Sequence, residues 1–422
     1  MSRPFPAATL RSLAWTTAAL TSLVACRDTP ANVPTVDAGP LIADSTGVRT
    51  VNDTAPAWGT EQRWAVASEP TLDLGEPAQP FVGVAPVVRL SDGRIAVADG
   101  SQQTIQYFDA AGKMLLSVGG RGGEEGQFHA LGWIGRGAGD TLVAYDFVAR
   151  RLTLFDARGK LVRSATLVPA DPQALAEPLA TFPDGSVLVR LTRPMNPFPG
   201  KAGQVVRDSA TYMRFALDGT PAASFGTFPQ NEAFGVQVRA DGPPSPFPVP
   251  FGLTTVAATR ADTVLIGTGS GFEVASFGPD GAPVGQLRAR IPREEVTPAD
   301  AKAFTAAAIT RLKTGAKSLN TTLDSSLVRA LEKAPFPTRK PAFGRMLVDQ
   351  TGALWLSTPL TPPASASTWT VFAPDGTWLG TVTTPEGLRV DEIGVDYVLG
   401  MYRQRHGQER VRSYPLTRGT AN

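Results

Sequence analysis

Six recurring positions constrain this chain more than any other feature. An aromatic residue followed by a glycine-centred turn appears at Phe108-Asp109-Ala110-Ala111-Gly112, Phe155-Asp156-Ala157-Arg158-Gly159, Phe215-Ala216-Leu217-Asp218-Gly219, Phe277-Gly278-Pro279-Asp280-Gly281 and Phe372-Ala373-Pro374-Asp375-Gly376. A degenerate copy, Tyr414-Pro415-Leu416, closes the series. Self-similarity of this kind marks a repeat architecture, and units of about 40–45 residues with four short strands are the size of propeller blades. The predicted fold is all-β, a six-bladed β-propeller.

Within the unit around Phe108, Val87–Leu90 reads as a first strand, Ile95–Asp99 as a second, Thr104–Phe108 as a third and Met114–Gly119 as a fourth. Ser91-Asp92-Gly93-Arg94 joins the first two, and Asp-Gly between apolar runs is a strong hairpin signal because Gly accepts positive φ. Similar first turns stand at Gly139-Asp140, Pro183-Asp184-Gly185 and Gln350-Thr351-Gly352, with Arg260-Ala261-Asp262 in the fourth unit. The sixth unit offers only three strands, Val390–Val395, Tyr397–Tyr402 and Glu409–Leu416. Upstream of the first unit, Arg63–Val66 and Thr71–Gly75 are strand-like and unassigned, and Leu72-Asp73-Leu74-Gly75 parallels Leu116-Ser117-Val118-Gly119. The N-terminal segment is therefore expected to complete blade six and close the ring, which removes exposed sheet edges.

Composition agrees. Hydrophobic residues make up 42% and charged residues 18%, enough for a sizeable core, and 42 Gly with 37 Pro suit many turns. The formal net charge is +2, which lacks the concentrated basic surface that nucleic acid requires. A monomeric propeller is expected.

The wide gap between Phe277 and Phe372 holds the one break in the all-β pattern. Thr297-Pro298-Ala299-Asp300 has a cap residue, Pro at the first helical position and an acid three on. Phe304, Ala308, Ile309 and Leu312 then share a helical face, and a second short helix is predicted over Ser325–Lys333. This helical insertion, about 297–334, falls between blades four and five.

The N-terminus reads as a targeting segment. Arg3 and Arg11 precede a short apolar run ending Leu23-Val24-Ala25-Cys26, the pattern of a secretory signal over residues 1–25. Leu-Val-Ala-Cys resembles the bacterial lipobox, which implies lipidation of Cys26, the single cysteine. Residues 26–60 are rich in Pro, Thr, Asp, Ala and Val without periodicity and read as a flexible tether to a propeller body over 61–422.

The Gly119–Gly123 run fits no phosphate-loop fingerprint, since no helical pattern follows it. Together with Gly126-Gln127-Phe128, Gly139-Asp140-Thr141-Leu142-Val143-Ala144-Tyr145-Asp146 and Leu152-Thr153-Leu154-Phe155-Asp156-Ala157-Arg158-Gly159, it resembles NHL-type propeller repeats, best over Val87–Val162. Trp64–Gly75, Pro341-Ala342-Phe343 ahead of Leu354-Trp355, and Val398-Leu399-Gly400 are similar to bacterial six-bladed propeller lipoproteins of unassigned activity. The resemblance implies a fold and a location in the bacterial cell envelope, lipid-anchored in the periplasm or at the outer membrane. It implies no reaction.

Every long segment, namely 120–130, 192–210, 227–252, 291–343, 359–367 and 403–408, is predicted on the face opposite the short first turns. Binding residues concentrate on loops held by a rigid scaffold. Arg121, Arg150, Arg193, Arg403 and Arg405 are therefore candidates for an anionic or peptide carboxylate ligand, against the alternative of solvated loop charge. Phe198 and Phe247, in two Pro-Phe loops, are candidate contacts for a partner, against the alternative that they tuck beneath the loops. His129 and His406 lack metal-ligand spacing, and no nucleophile motif is present. The leading expectation is a binding or scaffold module for a protein, peptide or glycan, without cofactor. The alternative is a calcium-dependent hydrolase of the gluconolactonase type at the axial channel, for which Asp99 and Asp146 are weak metal candidates, with loop capping as their other reading.

Overall fold

A computed structural model describes residues 41–45, 48–59, 62–75, 81–238, 241–318, 325–362, 366–404 and 407–419. The predicted signal segment, Cys26 and the tether up to residue 40 lie outside them. Among the described residues the chain forms six sheets, consistent with a propeller. Sheet one comprises Val88–Arg89, Ile95–Asp99, Thr104–Phe108 and Met114–Gly119, in that spatial order. Sheet two comprises Leu131–Arg136, Leu142–Asp146, Arg151–Phe155 and Leu161–Thr166, and sheet five Arg345–Val348, Leu354–Ser357, Thr368–Phe372 and Trp378–Thr383. All three are simple antiparallel meanders.

Sheets three, four and six are extended. Sheet three runs Leu175–Thr181, Val187–Thr192, Val205–Phe215 and Pro221–Val236, then adds Ser245–Pro248. Sheet four runs Val256–Arg260, Thr263–Gly267, Phe272–Phe277 and Pro283–Ala289. Its last strand takes Val48–Asp53 in parallel, and Leu41–Ser45 pairs antiparallel with that. Part of the segment read as a flexible tether is thus a hairpin on the outer edge of sheet four. Sheet six runs Leu388–Ile393, Tyr397–Arg403 and Glu409–Thr417, and its missing outer strand comes from Leu72–Leu74 and Ala65–Val66. The N-terminal segment supplies the last strand, as the parallel between Leu72–Gly75 and Leu116–Gly119 predicts.

The first strand of each sheet lies against the first strand of the next, and that of sheet six returns to sheet one. Between each neighbouring pair sits one hydrophobic core. Ile105, Tyr107, Leu142 and Phe155 fill that of sheets one and two, and Leu356, Phe343 and Phe372 that of sheets four and five. Trp355, Trp369 and Tyr414 fill that of sheets five and six, where Trp64 packs 5.8 Å from Trp355 and Trp58 packs 5.0 Å from Trp64.

The repeated aromatic now has a cause. Phe108, Phe155, Phe215 and Phe372 each end a third strand, Tyr414 lies in the sixth, and all five are buried. Burying one such ring contributes about 1.5–3 kcal/mol. The following aspartate caps its own turn, as Asp109 Oδ1 does by accepting from the Ala111 and Lys113 N–H groups. The glycine has a second duty besides positive φ. A Cβ at Gly219 would stand 2.0 Å from the Thr166 carbonyl oxygen, and one at Gly281 2.1 Å from that of Ser224. These turns abut the outer strand of the preceding sheet, so the glycine sets the sheet-to-sheet approach.

Two helices, α1 (Pro298–Ser318) and α2 (Ser325–Glu332), stand between sheets four and five. Thr297 and Asp300 cap α1 reciprocally: the Thr297 N–H donates to Asp300 Oδ2 at 2.9 Å, and the Asp300 N–H to Thr297 Oγ1 at 3.1 Å. One loop expectation needs correction. Residues 192–210 and 227–252 are not continuous loops, because Val205–Phe215 and Pro221–Val236 carry strand pairing through them. A register shift between Arg207 and Ser209 accommodates Pro229 within the pairing.

Candidate functional site

The loop-rich face carries the residues that the sequence singles out, and their polar groups are largely spent on the loops themselves. Arg150 Nη1 and Nη2 donate to the Pro172 and Ala174 carbonyls at 2.8 and 2.9 Å. Arg121 Nη2 donates to the Ser101 carbonyl at 3.0 Å. Arg193 pairs with Asp171 at 2.6 Å, and Arg403 pairs with Glu409, whose other oxygen accepts from the Val84 N–H. Arg151 holds the glycine-rich link by donating to the Gly123, Glu124 and Gln127 carbonyls. Arg405 and His406 lie outside the described residues. The four described arginines stem from different sheets, and each holds a different partner.

The two phenylalanines follow the same pattern. Phe198 is buried, and Phe247 packs 6.4 Å from the buried ring of Phe234. Phe234, Val236, Val249 and Ala334, with Phe247, Ala330 and Phe336, form a small core of their own under the insertion. Phe251 joins it to α1 through Phe304, at 5.3 Å. The apolar loops are thus tied to α1 and α2.

Asp99 and Asp146 end the second strands of sheets one and two, both buried. Asp99 Oδ1 accepts from the Ser101 N–H and Oγ and from the Gln102 N–H at 2.7–3.2 Å. Asp146 accepts four backbone N–H groups: His129 at 2.6 Å on Oδ2, and Ala130, Val148 and Ala149 at 3.2, 2.9 and 2.9 Å on Oδ1. Burial pushes the Asp146 carboxyl up, but those four donors outweigh it and hold the group below the ordinary carboxylate range. Calcium takes six to eight oxygen ligands. The bonds of these two carboxylates go instead to N–H groups and, at Asp99, to the Ser101 hydroxyl, and among the described residues no three His, Cys, Asp or Glu side chains gather to join them. They do not fit a calcium centre. The same positions in other sheets are Thr268, which bonds Ser270, and Thr358, which bonds the Thr368 carbonyl.

A cavity of about 770 Å³ lies elsewhere, on the axis at the face of the short first turns. The ends of the six first strands line it, each sheet contributing. It is a stiff ring, because neighbouring strands are stapled across the sheet boundaries. Thr181 Oγ1 donates to the Arg136 carbonyl, Thr259 Oγ1 to the Thr181 carbonyl, and Arg389 Nη2 to the Val84 and Ala85 carbonyls. Three arginines, Arg136, Arg260 and Arg345, and three acids, Asp349, Asp391 and Glu392, stand in the lining.

The acids are fully engaged. Asp349 accepts from the Arg418 Nη2 and the Trp355 Nε1, both at 2.9 Å. Asp391 is held by Arg389 through two bonds at 2.9 Å. Glu392 accepts from the Arg89 N–H at 2.8 Å, the Tyr397 hydroxyl at 2.5 Å and the Gln350 amide at 3.1 Å. Among the described residues no serine, cysteine or histidine lines the cavity.

Sequence reasoning missed this site because its residues belong to six separate repeats. A faint signal was present. Arg89 and Arg136 occupy the same register, opposite the first residue of the second strand, Ile95 and Leu142.

No protein-family model matches the sequence, and no curated protein matches it. Solved structures do align. A DUF4221-family member from Bacteroides vulgatus is 8% identical, over 85% of this chain and 100% of that one, with a TM-score of 0.47. A presumed exported protein of Bacteroides fragilis is 10% identical, over 88% and 100%, with a TM-score of 0.44. The calcium-binding protein regucalcin of Agrobacterium tumefaciens is 9% identical, over 84% and 96%, with a TM-score of 0.41.

Proposed function

We propose that the six sheets are the blades of an NHL-like β-propeller, carried in the bacterial envelope as a lipoprotein anchored through Cys26, and that it works as a binding module whose ligand sits in the axial cavity. The carrying observation is the cavity itself: about 770 Å³, ringed by first strands that are stapled to one another. That volume lies within the range of small-molecule sites, about 300–1,000 Å³. Preorganised walls lower the ordering cost of binding.

A second reading has its own support. The core that joins the long hairpin of sheet three to α2 gives the loop-rich face a firm platform, suited to a protein, peptide or glycan. Amide hydrogen exchange separates the two. The lipoprotein is incubated with a small-molecule extract of the envelope, then with envelope proteins and glycans. Protection of 134–137, 179–183, 257–261 and 345–352 by the extract is the expected result. Protection confined to 192–210 and 227–252 would move the site to the other face.

A further inference from the structure

We propose that the axial cavity seats an oxyanion, a carboxylate or phosphate group of a small ligand, held by Arg136, Arg260 and Arg345. This rests on the reading of the cavity as the ligand seat and names the chemistry of what enters it.

The argument is one of unmatched charge. Each acid in the lining already has cationic or hydrogen-bonding partners of its own: Asp349 has Arg418, Asp391 has Arg389, and Glu392 has three donors. The three lining arginines meet mainly neutral acceptors. Arg136 Nη1 donates to the Arg89 carbonyl at 3.0 Å, Arg260 Nη1 to the Pro374 carbonyl at 3.1 Å, and Arg345 Nη2 to the Val390 carbonyl at 2.6 Å. The nearest acid to Arg345 is Asp391, at 4.0 Å and already bonded twice by Arg389.

A carbonyl satisfies one N–H and leaves the charge in place, and a guanidinium has five donors to satisfy. Arg260 Nε is buried with no partner. The environment registers the deficit. Burial draws both Arg260 and Arg345 below the ordinary guanidinium range, with Asp349 and Asp391 opposing the shift. Arg345 nonetheless stays open to the cavity, its side chain 40% exposed. Buried cations that must share a counter-ion with a closer arginine are costly. An oxyanion supplies the charge and the paired acceptors that match a guanidinium fork, whereas a neutral ligand supplies only the acceptors.

The test uses the full lipoprotein in detergent, titrated with inorganic phosphate, succinate and uncharged glucose, read by calorimetry and by amide exchange at the cavity strands. Phosphate or succinate is expected to bind and to protect those strands, and whichever binds more tightly identifies a phosphate or a carboxylate group. Arg136→Gln and Arg345→Gln are each expected to weaken binding about tenfold to a hundredfold, with the lysine variants intermediate. Should Arg345→Gln shift the urea midpoint, Arg136→Gln carries the comparison, since its side chain has one bond, to a rim carbonyl. Equal protection by glucose in the native protein and the glutamine variants would overturn the oxyanion while leaving the cavity as a ligand seat. Failure of both oxyanions at millimolar concentration would also overturn it, and the envelope-extract experiment then decides separately whether the cavity is the site.

Discussion

Replacing Asp146 by alanine is the most informative single perturbation, because the two readings of that carboxylate diverge in one measurement. As a loop cap it joins the 129–130 link to the 147–149 turn through four N–H donors. A hydrogen bond to a charged group contributes about 1.5–3 kcal/mol, and a buried donor left unpaired costs about 1–3 kcal/mol. Val148 is 68% exposed, so the donors of its turn recover water, while those of the 129–130 link do so less readily. The expected loss for Asp146→Ala is about 3 kcal/mol. Asp146→Asn keeps an oxygen where Oδ1 accepts three of the four bonds and loses only the one to His129, so about 1 kcal/mol is expected.

Urea unfolding followed by tryptophan fluorescence measures both variants, in chelator and in calcium. The acid limb adds an independent check. The folded carboxyl titrates below the unfolded value of about 3.9. Its contribution is therefore fully present above pH ~4 and is lost as pH falls through the folded value. The acid limb of Asp146→Ala should be shallower than that of the native protein. A loss for Asp146→Ala under about 0.5 kcal/mol would refute the capping argument, and so would a loss that disappears in chelator.

Asp73→Ala should loosen the closing strand. Asp73 receives Arg410 and Arg412 from the strand that Leu72–Leu74 pairs with, and at 30% exposure these pairs are worth about 1 kcal/mol. Limited proteolysis should cut earlier within 54–75, and an unchanged cleavage rate would count against closure by this segment. Phe304→Ala removes the ring that α1 sets 5.3 Å from Phe251 and 6.3 Å from Phe336. A loss of helical circular dichroism with little change in the unfolding of the six sheets is expected, at about 2 kcal/mol locally. Simultaneous loss of both signals would show that the insertion is part of the main folding unit.

Much of the architecture was legible because a repeat imposes one local physics many times. Phe108 and its four glycine-followed counterparts mark third strands, and the Asp–Gly turns behind them need a short carboxylate and positive φ, both of which are local demands. The cap Thr297-Pro298-Ala299-Asp300 was readable for the same reason. The closing role of Leu72–Leu74 was inferred from its likeness to Leu116–Gly119, although its partner Val411–Ser413 lies at the far end of the chain. Less visible was the strand through Pro229, where pairing across a bulge outweighs composition.

The candidate residues show the other side. An arginine in a loop reads alike whether it greets a ligand or holds a carbonyl, and Arg121 and Arg150 turned out to hold carbonyls. By itself, then, the sequence determined the strand repeat, the turns, the helix cap and the segment that shuts the ring, because each depends on neighbours along the chain or on a pattern repeated within it. Only the tertiary structure decided which charges are matched. Arg136, Arg260 and Arg345 lie on three different sheets, and they share Asp349 and Asp391 with Arg418 and Arg389 only once six first strands meet around one cavity.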